Sequence, residues 1–310
     1  MKDSIQRVTS AILQGSSDRI PMGEITIDDP VVKNVLSCTR VSFEERLQFC
    51  SLLSLDIYCL SMQYQTPAGE LPQPQSIRFP ELTEWVDRSG LFTFAVLDGP
   101  FGWGGRIFGF EKFFSLCMRE QTVLRDFNKA VERLNQELGR RLAGEGIHGL
   151  LLADDLAYTG GLFVSPRTMK EHFLPSLSRQ SGSLLSLGLP LFFHSDGNYL
   201  DMLPAIAGMG FHGLHCIDPD CSMDAARVRS VAGRNVCLWG TLSARELERC
   251  SDTGECERMV EKIRSAASGG RFLLGTTSGL FQGIRVDRMQ AIYSRIRTGS
   301  SGHCPSSIPY

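Results

Sequence analysis

The 310-residue chain has no hydrophobic run that could cross a bilayer. Its apolar stretches stay under about ten residues, where a spanning helix needs about twenty. It also has little net charge, with 32 Lys and Arg against 34 Asp and Glu, and no basic run longer than Gly139-Arg140-Arg141. Nothing there could track a phosphate backbone, which argues against a nucleic-acid partner. No Cys-x-x-Cys pair occurs among the ten cysteines, so a zinc knuckle is excluded. Met1-Lys2-Asp3-Ser4 leads into a polar segment without the apolar core of a secretion signal. The cysteines lie in apolar runs such as Ile57-Tyr58-Cys59-Leu60 and Asn235-Val236-Cys237-Leu238, the usage of free buried thiols in a reducing compartment. The expectation is a cytoplasmic globular protein with ten free cysteines, a sizeable core and no membrane partner.

What is present is an alternation. Continuous apolar runs at 20–24, 55–59, 92–97, 147–153, 190–194, 211–217, 235–239 and 271–275 predict strands buried on both faces of a parallel sheet. Helical signals separate them. Ser42-Phe43-Glu44-Glu45 and Ser243-Ala244-Arg245-Glu246 are capping boxes, and Ser165-Pro166 places a cap before a first-turn proline. Leu124, Phe127, Val131, Leu134, Leu138 and Leu142 form one long apolar helix face. Eight strand–helix alternations predict a single-domain α/β fold, a (β/α)8 TIM barrel over 19–297. A doubly wound open sheet has the same periodicity. Residues 1–18 read as a helical extension and 298–310 as a disordered tail. The Pro- and Gln-rich stretch 65–80 reads as a loop over the barrel mouth.

Barrel chemistry gathers where strands end at their carboxyl side. Those ends carry Glu24, Asp98, Asp154-Asp155, His194, Asp218, Trp239-Gly240-Thr241 and Thr276-Thr277-Ser278, with Asp56 at the second strand. In His194-Ser195-Asp196-Gly197-Asn198, extended backbone turns His194 and Asp196 to one face, where both could reach one ligand atom or metal ion. The competing reading has His194 donating to a loop carbonyl and Asp196 opening a turn. Asp154 and Asp155 point opposite ways in a strand, so one of them at most faces the axis. That one could act as a base, a cation holder or a substrate anchor, and a helix cap is the alternative. Gly99-Pro100-Phe101-Gly102-Trp103-Gly104-Gly105 misses the dinucleotide fingerprint, but Phe101 and Trp103 could wall a ligand or pack under a loop.

These residues resemble the uroporphyrinogen decarboxylase superfamily, which also contains zinc- and corrinoid-dependent methyltransferases. The resemblance runs from about Arg19 to Arg297. Arg19-Ile20-Pro21-Met22-Gly23-Glu24 is similar to the family's opening strand, and Asp98-Gly99-Pro100-Phe101 to its Gly-x-Pro-aromatic turn. Asp155 through Gly160 with Ser165-Pro166 resembles the acidic turn and Ser-Pro after strand four. His194 to Asn198 is similar to a His-x-Cys-Gly-Asn motif, and Trp239-Gly240-Thr241 falls where the family has Gly-Asn. The paired arginines that would grip a tetrapyrrole's carboxylates are absent, which turns the reading away from porphyrinogen decarboxylation. Asp196 stands where the zinc enzymes have a cysteine, and Ser278 near the second, so a sulfur-bound zinc is not expected.

The resemblance implies a methyltransferase of the corrinoid-dependent branch, a demethylase moving methyl from a small methylated substrate, a methoxyaromatic being one version, to a cobalamin-carrying partner protein. His194, Asp196 and Asp155 are the candidate catalytic residues. Glu24, Phe101, Trp103, Tyr158 and Asp218 are candidates for substrate binding, and His194 with Asp196 for a zinc or other metal site. A decarboxylase or lyase using Asp56 or Asp155 is the second reading. A ligand-binding barrel without chemistry is the third.

Overall fold

The computed structural model describes residues 3–67, 69–250 and 252–298. The apolar runs become β1 (Ile57–Leu60), β2 (Phe92–Asp98), β3 (Gly149–Ala153), the two-residue β4 (Ala157–Tyr158) and β5 (Gly161–Leu162), β6 (Leu191–His194), β7 (Gly213–Ile217), β8 (Cys237–Leu242) and β9 (Phe272–Thr276). Seven of them form one parallel sheet in the order β1-β2-β3-β6-β7-β8-β9, while β4 and β5 pair as an antiparallel hairpin. The sequence predicts eight strands in the sheet, and the structure has seven. The first predicted strand, 20–24, is reduced to isolated parallel bridges from Met22 to Leu274 on β9 and from Gly23 to Ile57 on β1. Pro21 has no N–H to extend that ladder. The segment is nevertheless held on both sides, by Gly23 N to Leu274 O at 2.9 Å and Ile57 N to Met22 O at 3.1 Å. Glycine allows the close approach: a β-carbon on Gly23 would overlap Ile57. Trp239 Nε1 then reaches the Gly23 carbonyl at 3.1 Å.

Strand side chains alternate in direction, and the alternation separates two cores. Tyr58, Leu97, Leu150, Leu152, Phe193, Leu214, Leu238 and Leu274 face the surrounding helices. Ile57, Cys59, Phe92, Phe94, Leu151, Phe192, Cys237, Trp239 and Leu273 form a separate inner cluster. Phe94 meets Phe192 edge-on at 5.2 Å and Trp239 at 5.5 Å, which fills the middle of the interior. Val8, Ala11 and Ile12 of the helix Ser4–Leu13 belong to the same cluster and pack against the amino-terminal half of the strands. The predicted helical extension is therefore the floor of the interior.

That floor is fixed by charge. Asp56, fully buried just before β1, accepts from Arg7 Nη1 at 2.6 Å and from Arg19 Nη1 and Nη2 at 2.7 and 2.8 Å. Ser4 Oγ and the Met22 amide complete its shell at 2.8 and 3.0 Å. Asp56 thus sits at the amino-terminal end of the sheet, opposite to where chemistry would use it.

Both capping boxes form as predicted, and Ser165 accepts from the Thr168 amide. The long apolar face becomes the helix Gln121–Gly144. Three expectations need correction. The stretch 65–80, expected over the mouth, is held at Pro74 and Ile77, whose carbonyls accept from Arg141 of that helix at 2.8 and 2.9 Å, which ties that part to an outer helix. The glycine- and aromatic-rich stretch is no loop but the helices Pro100–Phe108 and Phe110–Arg119. Pro100 at the first turn and a carboxylate cap from Asp154 outweigh the poor helix propensity of its glycines. Third, Cys250 and Cys256 are joined in a disulfide with Cα atoms 5.4 Å apart. One closes the helix Ala244–Arg249 and the other lies in the first turns of the helix Thr253–Ser268, a proximity that neighbouring composition could not reveal. Seven other cysteines are free, and Cys304, like residues 299–310 of the predicted tail, lies outside the described residues.

Replacing Asp56 by alanine should leave Arg7 buried without its carboxylate. Urea unfolding is expected to show a loss of about 3–5 kcal/mol. A loss below about 1 kcal/mol would show that the floor does not depend on this pair.

Candidate active site

The inward series of each strand continues upward and ends in polar groups. Ile57 and Cys59 lead to Ser61. Phe92, Phe94 and Val96 lead to Asp98. Leu151 and Ala153 lead to Asp155, and Phe192 leads to His194 and Asp196. With Ile25, Thr26, Gly102, Arg106, Thr277 and Ser278, these rim residues line a cavity of about 260 Å³ at the carboxyl ends of the strands.

His194, buried to 8 % exposure, sets Nε2 3.5 Å from Asp155 Oδ1 and 3.7 Å from Asp196 Oδ1. One ligand atom from each of the three lies within 4.8 Å of the others. Around an ion bound at 2.0–2.2 Å, tetrahedral ligand atoms stand about 3.4 Å apart, so this spacing fits a zinc-sized divalent cation. The donor set is one nitrogen and two oxygens, harder than the sulfur ligands of the resembling zinc enzymes.

The local sequence explains the geometry. Asp155 Oδ1 accepts from the Asp196 amide at 2.9 Å, tying the two rim loops together. Ser195, in the opposite phase, accepts from the Leu156 amide at 2.9 Å and donates to the Asp196 carbonyl at 2.9 Å. Gly197 adopts φ +77° against the Ala157–Tyr158 backbone, where a β-carbon would come within 2.5 Å of backbone atoms. The Asn198 amide then reaches the Tyr158 carbonyl at 2.9 Å. Asp154, fully out of phase, is buried and accepts from the Phe101 and Gly102 amides at 2.7 and 3.3 Å. Burial pushes its carboxyl well above the usual range, against the pull of those two amides. Of the adjacent carboxylates, Asp154 caps a helix and Asp155 faces the cavity.

The structure does not bring the other candidates to the cavity. Trp103 is fully buried, 4.9 Å from Tyr64, and Phe101 packs on Phe173 at 4.4 Å, so neither is a ligand wall. The helical turn that buries them instead presents Gly102 and Arg106. Tyr158 is half exposed on the hairpin beside Phe163. Asp218 is outside the cavity lining, where it accepts from the Asp220 amide at 2.9 Å and from Cys221 Sγ at 3.4 Å. Glu24 is buried to 1 % exposure beneath the rim, accepting from Thr276 N at 3.1 Å, from the Thr276 hydroxyl and from Tyr293 Oη at 2.5 Å. Burial raises its carboxyl to about 7 despite those donors.

Two residues escape the sequence reading. Arg106 pairs with Asp98 across the cavity wall, its guanidinium 5.4 Å from the Trp103 ring. His215, fully buried on β7, brings Nδ1 to 2.7 Å from His194 Nδ1. The signal for His215 was its inward phase in 211–217; for Arg106 none existed, because the helix starting at Pro100 was not foreseen.

The uroporphyrinogen decarboxylase (URO-D) family profile matches residues 88–298, more than half of the sequence. The chain belongs to that family. No curated protein matches it. Among solved structures, a methyltransferase from Methanosarcina mazei superposes with TM-score 0.74 at 14% identity, over 96% of this chain and 99% of that one. An endo-β-1,4-xylanase from Gloeophyllum trabeum does so with TM-score 0.51 at 10% identity, over 86% of each. At such identities these likenesses speak for the fold alone.

Glu24 gives the site's surroundings a measurable pH dependence. Its carboxyl rises from 4.5 to about 7 on folding, so folding takes up a proton between those values. The stability associated with that proton is fully present below pH 4.5 and is lost as pH rises through 7. The stability of wild type relative to Glu24→Gln is expected to fall by about 3 kcal/mol from pH 4 to pH 8. A difference that stays flat across this range would contradict the assignment.

Proposed function

We propose that this member of the uroporphyrinogen decarboxylase family is a methyltransferase that moves a methyl group from a small methylated compound to the cobalamin of a partner protein. The observation that carries the reading is the convergence of His194 Nε2 with Asp155 and Asp196 at an open cavity above a packed interior. The likeness in fold to a methyltransferase supports it.

Methyl transfer breaks a bond from carbon to oxygen or nitrogen. The methyl passes to the nucleophile, and the electron pair stays on the oxygen or nitrogen. That atom leaves only if a proton or a Lewis acid takes up its charge. Zinc or a similar divalent ion held by His194, Asp155 and Asp196 would supply that Lewis acidity when bound. The residues' own part is to gather at one point, His194 as donor or ligand and the two carboxylates as its electrostatic partners. Thr277 and Ser278 also line the cavity, and Arg106, steadied by Asp98, adds a guanidinium to it.

Among the described residues the wall carries no Phe, Tyr or Trp, and Phe101 and Trp103 are buried. A small polar methylated substrate suits it better than a methoxyaromatic one. The decarboxylase reading is weakened because Asp56, one of its two candidate acids, is locked to Arg7 and Arg19 at the far end of the sheet.

The test is methylcobalamin formation from a panel of methylamines and methoxy compounds, with free cobalamin or a corrinoid protein as acceptor. Wild type is expected to turn over at least one donor, the methylamines before the methoxyaromatics. His194→Ala should lower the rate by about 10²-fold or more. Wild-type turnover in that variant would make His194 structural, and no methyl transfer from any donor would end the methyltransferase reading.

A further inference from the structure

The helix Pro100–Phe108 brings one side chain to the cavity with donors to spare. A guanidinium carries its N–H groups in a flat, rigid fork that matches the two oxygens of a carboxylate. Arg106 engages Nη1 with Asp98, while its Nε and Nη2 have no hydrogen-bond partner among the described residues. The group is fixed nevertheless. Asp98, 15 % exposed, holds it from one side, and the buried Trp103 ring lies 5.4 Å from the guanidinium carbon. The Arg106 side chain remains 45 % exposed, so its open donors are reachable from the cavity that it lines.

A second group points to a ligand. Thr277 lines the same cavity at 4 % exposure, and its hydroxyl has no hydrogen-bond partner among the described residues. A buried hydroxyl left unmet costs free energy, which an oxygen of a bound molecule would remove. The cavity of about 260 Å³ is smaller than the roughly 300–1,000 Å³ of sites that take drug-sized ligands. Arg106 is near enough to Asp155 for their charges to interact. One small molecule can therefore span Arg106 and the point where His194, Asp155 and Asp196 meet.

The charges of the lining set the kind of anion. Asp98, Asp155 and Asp196 are matched once a divalent cation joins Arg106, so a single added negative charge meets little opposition. A phosphate dianion would add twice that charge and lacks the planar pair of oxygens that the fork fits.

We infer that Arg106 is a specificity-determining residue that takes a carboxylate on the methylated substrate, so that the substrate class is small methylated carboxylic acids. The inference rests on the reading of the cavity as the methyl-donor site, but it concerns binding and does not depend on turnover.

The experiment measures binding of methoxyacetate and 3-methoxypropionate, each beside its uncharged amide, to the zinc-supplemented protein by isothermal titration calorimetry with no methyl acceptor present. In wild type at least one acid is expected to bind about 10-fold or more tightly than its amide. In Arg106→Gln that preference should fall below about 3-fold, and in Arg106→Lys, which keeps the charge without the fork, it should lie between. Wild type that binds neither acid, or binds acid and amide alike, would overturn the inference even if no variant folds. An undiminished preference in Arg106→Gln would also overturn it, because the carboxylate would then sit on the cation. A preference lost with Arg106, together with no methyl transfer from any donor, would leave this inference standing and remove only the proposed activity.

Discussion

The interior of this protein depends on the two-residue period of its parallel strands. Every second side chain points inward, so each strand contributes one column to the interior, and the columns change character with height. At the bottom, Ile57 and Phe92 meet the helix Ser4–Leu13. In the middle, Phe94, Phe192 and Trp239 fill the space. At the top, Asp98, Asp155, His194 and Asp196 meet an open cavity. A one-residue slip of β2 would exchange the rim Asp98 for the helix-facing Leu97, so packing below enforces chemistry above.

The same constraint distributes buried charge. Asp56, Glu24 and Asp154 are all buried carboxylates, yet none is left without donors. Asp56 has two arginines, Glu24 two hydroxyls and an amide, and Asp154 the first amides of a helix. Each fixes a junction: floor to sheet, the bridging segment to the last strand and helix, and β3 to the helix Pro100–Phe108. The carboxylates free to meet a ligand are the ones whose phase carries them past the packed layer. Desolvation is met in part by donors where the acid serves the scaffold and avoided where it serves the cavity.

Much of this was legible in the sequence. Continuous apolar runs located all seven strands of the sheet, and the i, i+2 relation places His194 and Asp196 on one face. The adjacency of Asp154 and Asp155 implied that they would part, though not which would turn inward; the phase set by Leu151 and Ala153 decides it. What was not legible depended on tertiary partners. The helix at Pro100 exists because Asp154, on another strand, caps it, and local propensity argues against it. The burial of Phe101 and Trp103 follows from that helix. The reduced strand at 20–24 reflects Pro21 and a junction closed by Trp239 from across the sheet. The Cys250–Cys256 pairing reflects the approach of two helix ends, which composition does not encode. The His194–His215 contact joins residues of neighbouring strands whose register no single run reveals.

The central proposal is that the point where His194, Asp155 and Asp196 converge, built from nitrogen and oxygen, binds a divalent cation. X-ray absorption spectroscopy of the zinc-loaded protein tests this most directly. The account predicts one equivalent of zinc in a shell of nitrogen and oxygen at about 2.0–2.2 Å, lost in His194→Ala. A sulfur shell at about 2.3 Å, or no zinc bound at all, would contradict it.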